Sequence, residues 1–204
     1  MASSPRYGEY TNLIFHPYNI MLTLLLMGVS ALFLALSGSY IYTRIQNPDI
    51  PPIKLPFLFF VNTIVLLASS YTIVMANKAY RNDDTEKYQR CLIYTFVLSL
   101  IFLVSQILAW KLLLMEIALN DQVTGSYLYI ISFVHFAHVI AGLPFLFIFY
   151  WTAKKKMKKP VSVLVYFSDP EKQLKLRLLT RYWHFLDALW IYLVIFLGVS
   201  YLIS

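Results

Sequence analysis

Five long apolar segments constrain this sequence more than any other feature, and each contains 20 to 25 residues. They cover residues 19–42, 55–76, 91–110, 127–151 and 182–203. About 20 apolar residues in an α-helix span the hydrocarbon core of a bilayer, which is about 30 Å thick. Because backbone donors and acceptors in lipid must bond within their own segment, each run is predicted to be a transmembrane helix. The sequence therefore predicts an all-α membrane protein, a five-helix bundle forming a single domain over residues 1–204.

The composition excludes a water-soluble enzyme. Of 204 residues, 59% are hydrophobic and 13% are charged, and the mean hydropathy is +0.64. Among 17 basic and 10 acidic side chains, only Asp187 lies inside an apolar segment. The single Cys91 has no second cysteine for a disulfide or a cysteine metal site. The net charge of +7 does not indicate a nucleic-acid partner, because the basic residues lie between apolar runs rather than along one exposed face.

The distribution of Lys and Arg predicts the orientation in the membrane. One side of the predicted bundle carries fourteen of these residues. They lie in the N-terminal tail, in the loop between the second and third segments, and in the loop between the fourth and fifth segments. The other side carries only Arg44, Lys54 and Lys111. Positively charged loops remain in the cytoplasm, so we expect a cytoplasmic N-terminus and an external C-terminus. The first segment is interpreted as a retained helix, with a cleaved signal peptide as the less favoured alternative.

Polar residues inside the segments recur at helical spacing. Thr95, Ser99 and Gln106, for example, lie within about 40° of one another on a helical wheel. Such stripes usually face neighbouring helices, where hydroxyls and amides bond across the interface. Packing is therefore the favoured interpretation of these residues.

Ionisable groups at membrane depth are costly and are candidates for a functional site. His135 and His138 share one face of the fourth segment, and His184 and Asp187 share one face of the fifth. A metal or haem between the two segments is disfavoured, because His138 and His184 differ in depth by roughly 8 to 9 Å. Depth leaves a pair of His16 and His184 as the alternative. We favour bonding of His184 and Asp187 to each other or to a neighbouring helix, with no metal site.

The last segment carries the most specific motif. Its residues resemble the YWHFxDxxW block of heme-copper oxidase subunit III, and they are Tyr182, Trp183, His184, Phe185, Asp187 and Trp190. The second segment resembles the family's NTxxLLxSS helix through Asn62, Thr63, Leu66, Leu67, Ser69 and Ser70. The third resembles its Q-to-W helix through Gln106 and Trp110. The fourth resembles its paired-histidine helix through His135, His138, Val139 and Gly142.

The resemblance implies the short bacterial form of subunit III, which has five helices where longer members have seven. It also implies an accessory subunit of a cytochrome c oxidase in the bacterial plasma membrane, with no catalytic residue and no cofactor of its own. Haem and copper would belong to the partner subunits I and II, and bound phospholipid is expected. The family's glutamate in the first retained helix is absent here, where Gly28, Val29 and Ser30 stand instead.

The resemblance assigns the motif residues to helix packing, lipid contact or a subunit interface. These residues are Asn62, Gln106, Trp110, His135, His138, Trp183, His184, Asp187 and Trp190. A narrower hypothesis is that His135, His138, His184, Asp187 and Trp183 form buried hydrogen bonds that fix the fourth and fifth transmembrane helices in place. Supporting proton uptake and stabilising subunit I are the roles that the family implies.

The segment 154–181 is the part of the chain that the resemblance explains least. Its nine basic residues are interpreted as a topology signal that also attracts anionic lipid headgroups. Leu174, Leu176, Leu178 and Leu179 among them predict a short interfacial helix. A docking surface for another respiratory complex is the alternative.

Three other functions compete with this interpretation. A quinol oxidase would use the same type of subunit with a different electron donor. A small secondary transporter would need broken helices, and Gly142, Leu143 and Pro144 are the candidate break. A membrane-embedded enzyme or b-type cytochrome would need a haem, which an optical spectrum of the purified chain detects.

Overall fold

The computed structural model describes residues 17–48, 56–120, 123–157 and 160–202, which form six α-helices. The helices are α1 (Pro17–Gln46), α2 (Leu58–Arg81), α3 (Thr85–Asn120), α4 (Val123–Lys156), α5 (Pro160–Phe167) and α6 (Pro170–Leu202). All except α5 contain a stretch long and apolar enough to cross a bilayer, and the described ranges contain no strand. The predicted all-α fold with five membrane-spanning helices is confirmed.

The basic segment 154–181 is mostly helical rather than a loop. It contains the end of α4, the whole of α5 and the start of α6. The predicted separate interfacial helix is wrong, because its leucines belong to the first turns of α6. Leu176 and Leu179 are buried there against an aromatic cluster that includes Tyr80 and Tyr166, so these leucines pack inside the protein.

Helix α4 is continuous through Pro144. Proline removes one backbone donor, but transmembrane helices tolerate it when neighbouring helices and local adjustments satisfy the freed carbonyl. Gly142 lies directly against α6, where a Cβ atom would meet Tyr182 Cε1 at 2.9 Å and Trp183 Cζ3 at 3.0 Å. The glycine therefore permits a close helix contact, and the candidate break that a transporter would need is absent at this position.

A tight turn brings α2 and α3 into the most extensive pairing of the bundle. Asp83 adopts a positive φ of 55°, a left-handed conformation that aspartate tolerates better than most residues. The carboxylate of Asp84 then accepts a hydrogen bond from the backbone N–H of Lys87 over 3.0 Å. This contact caps the start of α3. The short connection makes the two helices antiparallel neighbours.

The bundle has two buried clusters, and α1 lies at its side. One cluster centres on Phe33, Phe102 and Trp190, and the other on Ile73 and Trp183. Helix α2 packs against α3 and α6, whereas α1 packs less extensively against α4 and α6. Since α1 buries only a narrow stripe of its surface, most of this helix faces lipid or a partner.

Candidate functional site

Helix α2 carries a stripe of polar side chains that bond to α3 through the middle of the bundle. The amide nitrogen of Asn62 donates to Oε1 of Gln106 over 2.9 Å, and both residues are fully buried. Nearly three turns farther along α2, the hydroxyls of Thr72 and Thr95 are 2.8 Å apart. Interhelical bonds of this type stabilise helix pairs in lipid, so the motif residues Asn62 and Gln106 are part of the packing.

Two tryptophans of α6 bond to the same helix α2. The indole N–H of Trp183 donates to Ser69 Oγ over 3.1 Å, and that of Trp190 donates to Thr63 Oγ1 over 3.1 Å. Residues 183 and 190 are two helical turns apart and therefore lie on one face of α6. The motif of the last segment and the motif of the second segment thus form one interface.

His184 also faces α2 but is less buried. Its Nδ1 atom lies 2.6 Å from Ser70 Oγ and 4.0 Å from a carboxylate oxygen of Asp187. The side chain of His184 is 45% exposed, whereas that of Asp187 is 7% exposed. The close partner of the histidine is therefore a serine on the neighbouring helix, while Asp187 lies beyond hydrogen-bonding distance.

The side chains expected to fix the fourth and fifth transmembrane helices have partners on several helices. The Trp183 and His184 side chains bond to α2, and the ring of His138 bonds through Nδ1 to the Val134 carbonyl of its own helix over 2.6 Å. The bond between α4 and α6 runs from the Tyr182 hydroxyl to the backbone carbonyl of His138 over 2.8 Å. Sequence periodicity identified the faces of these helices but not which neighbour each face meets.

Two motif residues are buried without hydrogen bonds in the described part of the chain. Both ring nitrogens of His135 and both carboxylate oxygens of Asp187 lack a partner there. The His135 ring packs instead against Trp190 at 5.1 Å and Phe102 at 5.8 Å between centroids. Since buried polar groups are nearly always bonded, these two side chains mark where the bundle leaves bonding capacity unused.

Metal-ligating residues are dispersed through the described ranges, where no three His, Cys, Asp or Glu side chains cluster. His16, the alternative partner of His184, lies outside the described residues. His184 Nδ1 is already engaged by Ser70. Several of the described motif residues instead bond to side chains on neighbouring helices.

Sequence reasoning missed Ser132. The indole N–H of Trp110 on α3 donates to Ser132 Oγ on α4 over 2.9 Å, and both residues are buried. A buried tryptophan N–H requires an acceptor, and Ser132 lies three residues before His135 on the same face of α4. These two features of the sequence could have identified Ser132 as the partner of Trp110.

The family model for cytochrome c oxidase subunit III matches residues 29–201. The match covers most of the chain and includes all four motif segments. The chain belongs to the cytochrome c oxidase subunit III family. The resemblance identified from the sequence motifs is thereby confirmed.

Bacterial members of the subunit III family are similar over most of the chain. Cytochrome c oxidase subunit 3 of Synechocystis is 30% identical over 176 residues, which cover 84% of this chain and 71% of the relative. The Bacillus subtilis protein of the same name is 29% identical over 175 residues, covering 83% and 80%. The probable subunit 3 of Rickettsia prowazekii is 28% identical over 148 residues, and the chain spans about half of its length, 49%.

This subunit III departs from the family pattern on α1, where the expected glutamate is missing. Ser30 bonds to its own helix, through Oγ to the carbonyl of Leu26 over 2.8 Å. A Cβ atom at Gly28 would have no neighbour within 4 Å. Because no carboxylate occupies α1 of this chain, a role that depends on one does not transfer to it.

Proposed function

We propose that the chain is the accessory subunit III of a bacterial proton-translocating cytochrome c oxidase. The family match over residues 29–201 carries the proposal. The motif side chains support it, since Asn62, Gln106, Trp183 and Trp190 are buried and engaged between helices. Such residues hold a bundle together and leave the oxygen chemistry to haem and copper in partner subunits.

The proposed partners are subunits I and II in the bacterial plasma membrane. The chain would stabilise subunit I and support its proton uptake through helix packing and bound phospholipid. The N-terminus would lie in the cytoplasm, following the distribution of basic residues. The whole chain would act as one domain, and the basic segment 154–181 would contact anionic lipid or another respiratory complex at the cytoplasmic surface.

Cytochrome c is the proposed electron donor of the complex because the matching family and relatives carry that name. A quinol oxidase remains the alternative, and it differs at the donor site on other subunits. A transporter is less favoured because α4 continues through Pro144. Discontinuous helices are the usual basis of a transport site at the bilayer midplane.

Purification of the tagged chain from its native membrane in mild detergent tests the proposal. Mass spectrometry should identify a haem-copper subunit I as the dominant copurifying protein. The complex should show haem absorption, while the chain expressed alone should show none. A Soret band in the isolated chain, or a preparation that never contains subunit I, would contradict the proposal.

A further inference from the structure

His184 is a polar motif residue that the bundle leaves half-exposed. Its side chain is 45% exposed, although residue 184 lies inside the apolar segment 182–203. A polar group that faces acyl chains finds no hydrogen-bond partner there, so such residues usually face protein or water. The neighbouring motif residues Trp183 and Asp187 are buried. The exposure of His184 therefore needs an explanation of its own.

The imidazole ring of His184 is held from one side. Its Nδ1 atom lies 2.6 Å from Ser70 Oγ on α2 and 4.0 Å from the carboxylate of Asp187, about one turn farther along α6. The second ring nitrogen, Nε2, has no hydrogen-bond partner within the described ranges. A neutral imidazole offers one N–H donor and one bare nitrogen, so Nε2 keeps either a donor or an acceptor for a group outside the described chain.

The surface around this ring has the composition of a contact between membrane helices. Ala188 lies one turn beyond His184 on the same face of α6 and is exposed, and Ile195 continues that face with 59% exposure. On α2, Leu67 lies three residues before Ser70 and is 50% exposed. We call these five residues the His184 surface. A small residue and polar groups among aliphatic side chains are typical of helix interfaces in lipid.

We propose that the His184 surface contacts a membrane-spanning helix of subunit I, which bonds to the His184 ring through a hydroxyl or amide side chain. Such a side chain both donates and accepts, so it suits either tautomer of the imidazole, whereas acyl chains do neither. Ala188 leaves room for the backbone of that helix to approach closely, while Leu67 and Ile195 pack along it. The inference deepens the proposed function and rests on it, because subunit I is the partner named there.

Photocrosslinking in the purified complex tests which molecule covers the His184 surface. The full chain carries Ala188→benzoylphenylalanine, or Leu67→benzoylphenylalanine if the first variant does not assemble. The control carries the same probe at Val104 of α3, which is 60% exposed on a different helix. After irradiation, mass spectrometry should identify an adduct between the probe on the His184 surface and a membrane-spanning segment of subunit I. An adduct with lipid or detergent alone there, or with subunit I only from residue 104, would overturn the inference.

Three substitutions of His184 separate the outward contact from the contact with Ser70. The side-chain amide of glutamine reaches the position of Nε2, whereas that of asparagine reaches only the position of Nδ1. His184→Leu and His184→Asn should raise the dissociation constant of subunit III, measured by diluting the complex in mild detergent, by about threefold to twentyfold. His184→Gln should restore the wild-type value. A ring that serves only to hold Ser70 predicts the reverse order of the two amides.

The subunit content of the same preparations separates this inference from the proposed function. A complex that contains subunit I, and whose His184→Leu variant dissociates like the wild type, contradicts the inference alone. A wild-type preparation that never contains subunit I contradicts the proposed function, and the inference with it. A subunit I adduct from the His184 surface, together with weaker association of the leucine and asparagine variants, supports both.

Discussion

The indole nitrogen of Trp183 on α6 donates a hydrogen bond to Ser69 Oγ on α2 over 3.1 Å. Ser69 lies in turn 3.5 Å from Ser99 Oγ on α3, and all three residues are buried. One serine thus joins three membrane-spanning helices. In lipid, where apolar contact between helices competes with equally apolar acyl chains, such bonds and close packing determine which helices associate.

A double-mutant cycle measures the Trp183–Ser69 bond. Ser69→Ala and Trp183→Phe should each lower the stability of the detergent-solubilised chain, with a coupling of about 0.6 kcal/mol and at most about 2 kcal/mol. Thermal unfolding followed by circular dichroism provides the measurement. Ser30→Ala is the matched control because, within the residues that the structure describes, the Ser30 hydroxyl bonds to its own helix, at the Leu26 carbonyl. Additive effects of the two substitutions would show that the bond contributes no coupling.

Gly142→Ala should destabilise the contact between α4 and α6. Its Cβ would lie 2.9 Å from Tyr182 and 3.0 Å from Trp183, two side chains already held by hydrogen bonds. Overpacking of this kind costs about 1 to 3 kcal/mol. Gly198→Ala is the control, since its Cβ would have no neighbour within 4 Å and alanine is the better helix former. The prediction fails if both variants have the same melting temperature.

Asp169→Ala should weaken the start of α6 in a pH-dependent manner. The Asp169 carboxylate accepts from the backbone N–H of Glu171 over 3.0 Å and from Lys172 Nζ over 2.5 Å. The hydrogen bond from the Lys172 side chain holds the pKa of Asp169 below its usual value. Loss of such a helix cap costs about 1 kcal/mol.

The direction of the pH dependence follows from that lowered pKa. A carboxyl whose pKa is depressed in the folded state contributes its stabilisation above its unfolded pKa of about 3.9. The contribution disappears as the pH falls through the folded pKa. The difference in free energy of unfolding between wild type and Asp169→Ala should therefore be constant from pH 7 to about 5 and shrink below about 4. A difference that grows on acidification would contradict the assignment.

Asp187→Ala tests whether this carboxyl acts on something outside the described chain. No hydrogen bond within the described ranges would be lost, so the isolated chain should keep its melting temperature within a few degrees. The purified complex, in contrast, should lose subunit III, or show a lower melting temperature or a shorter turnover lifetime. Asp187→Asn is the matched control, because it keeps the size of the side chain and one acceptor oxygen while it removes the carboxyl group. Full subunit content, melting temperature and turnover lifetime in the Asp187→Ala complex would refute the idea.

The sequence motifs of α2 and α6 predict packing roles for their residues, and Asn62, Trp183 and Trp190 are buried. Their partners were not predictable, because a helical period identifies a face without identifying the helix that meets it. Ser132 stayed hidden for the same reason, since a lone serine carries no pattern. A cavity lies between the start of α1 and residues Arg177 and Arg181 of α6. Its presence depends on how α1 packs against α6, which the sequence pattern does not predict.

The sequence by itself determined the class of this protein, because a bilayer allows an uncharged run of about 20 apolar residues little except a helix. It also determined the family, through motifs whose residue types and spacing are specific. Only the tertiary structure decided that the tryptophans of α6 bond to α2 while α4 approaches through Gly142. Helix association in lipid depends on steric fit and on a few directional bonds, and both arise only when the helices are placed together.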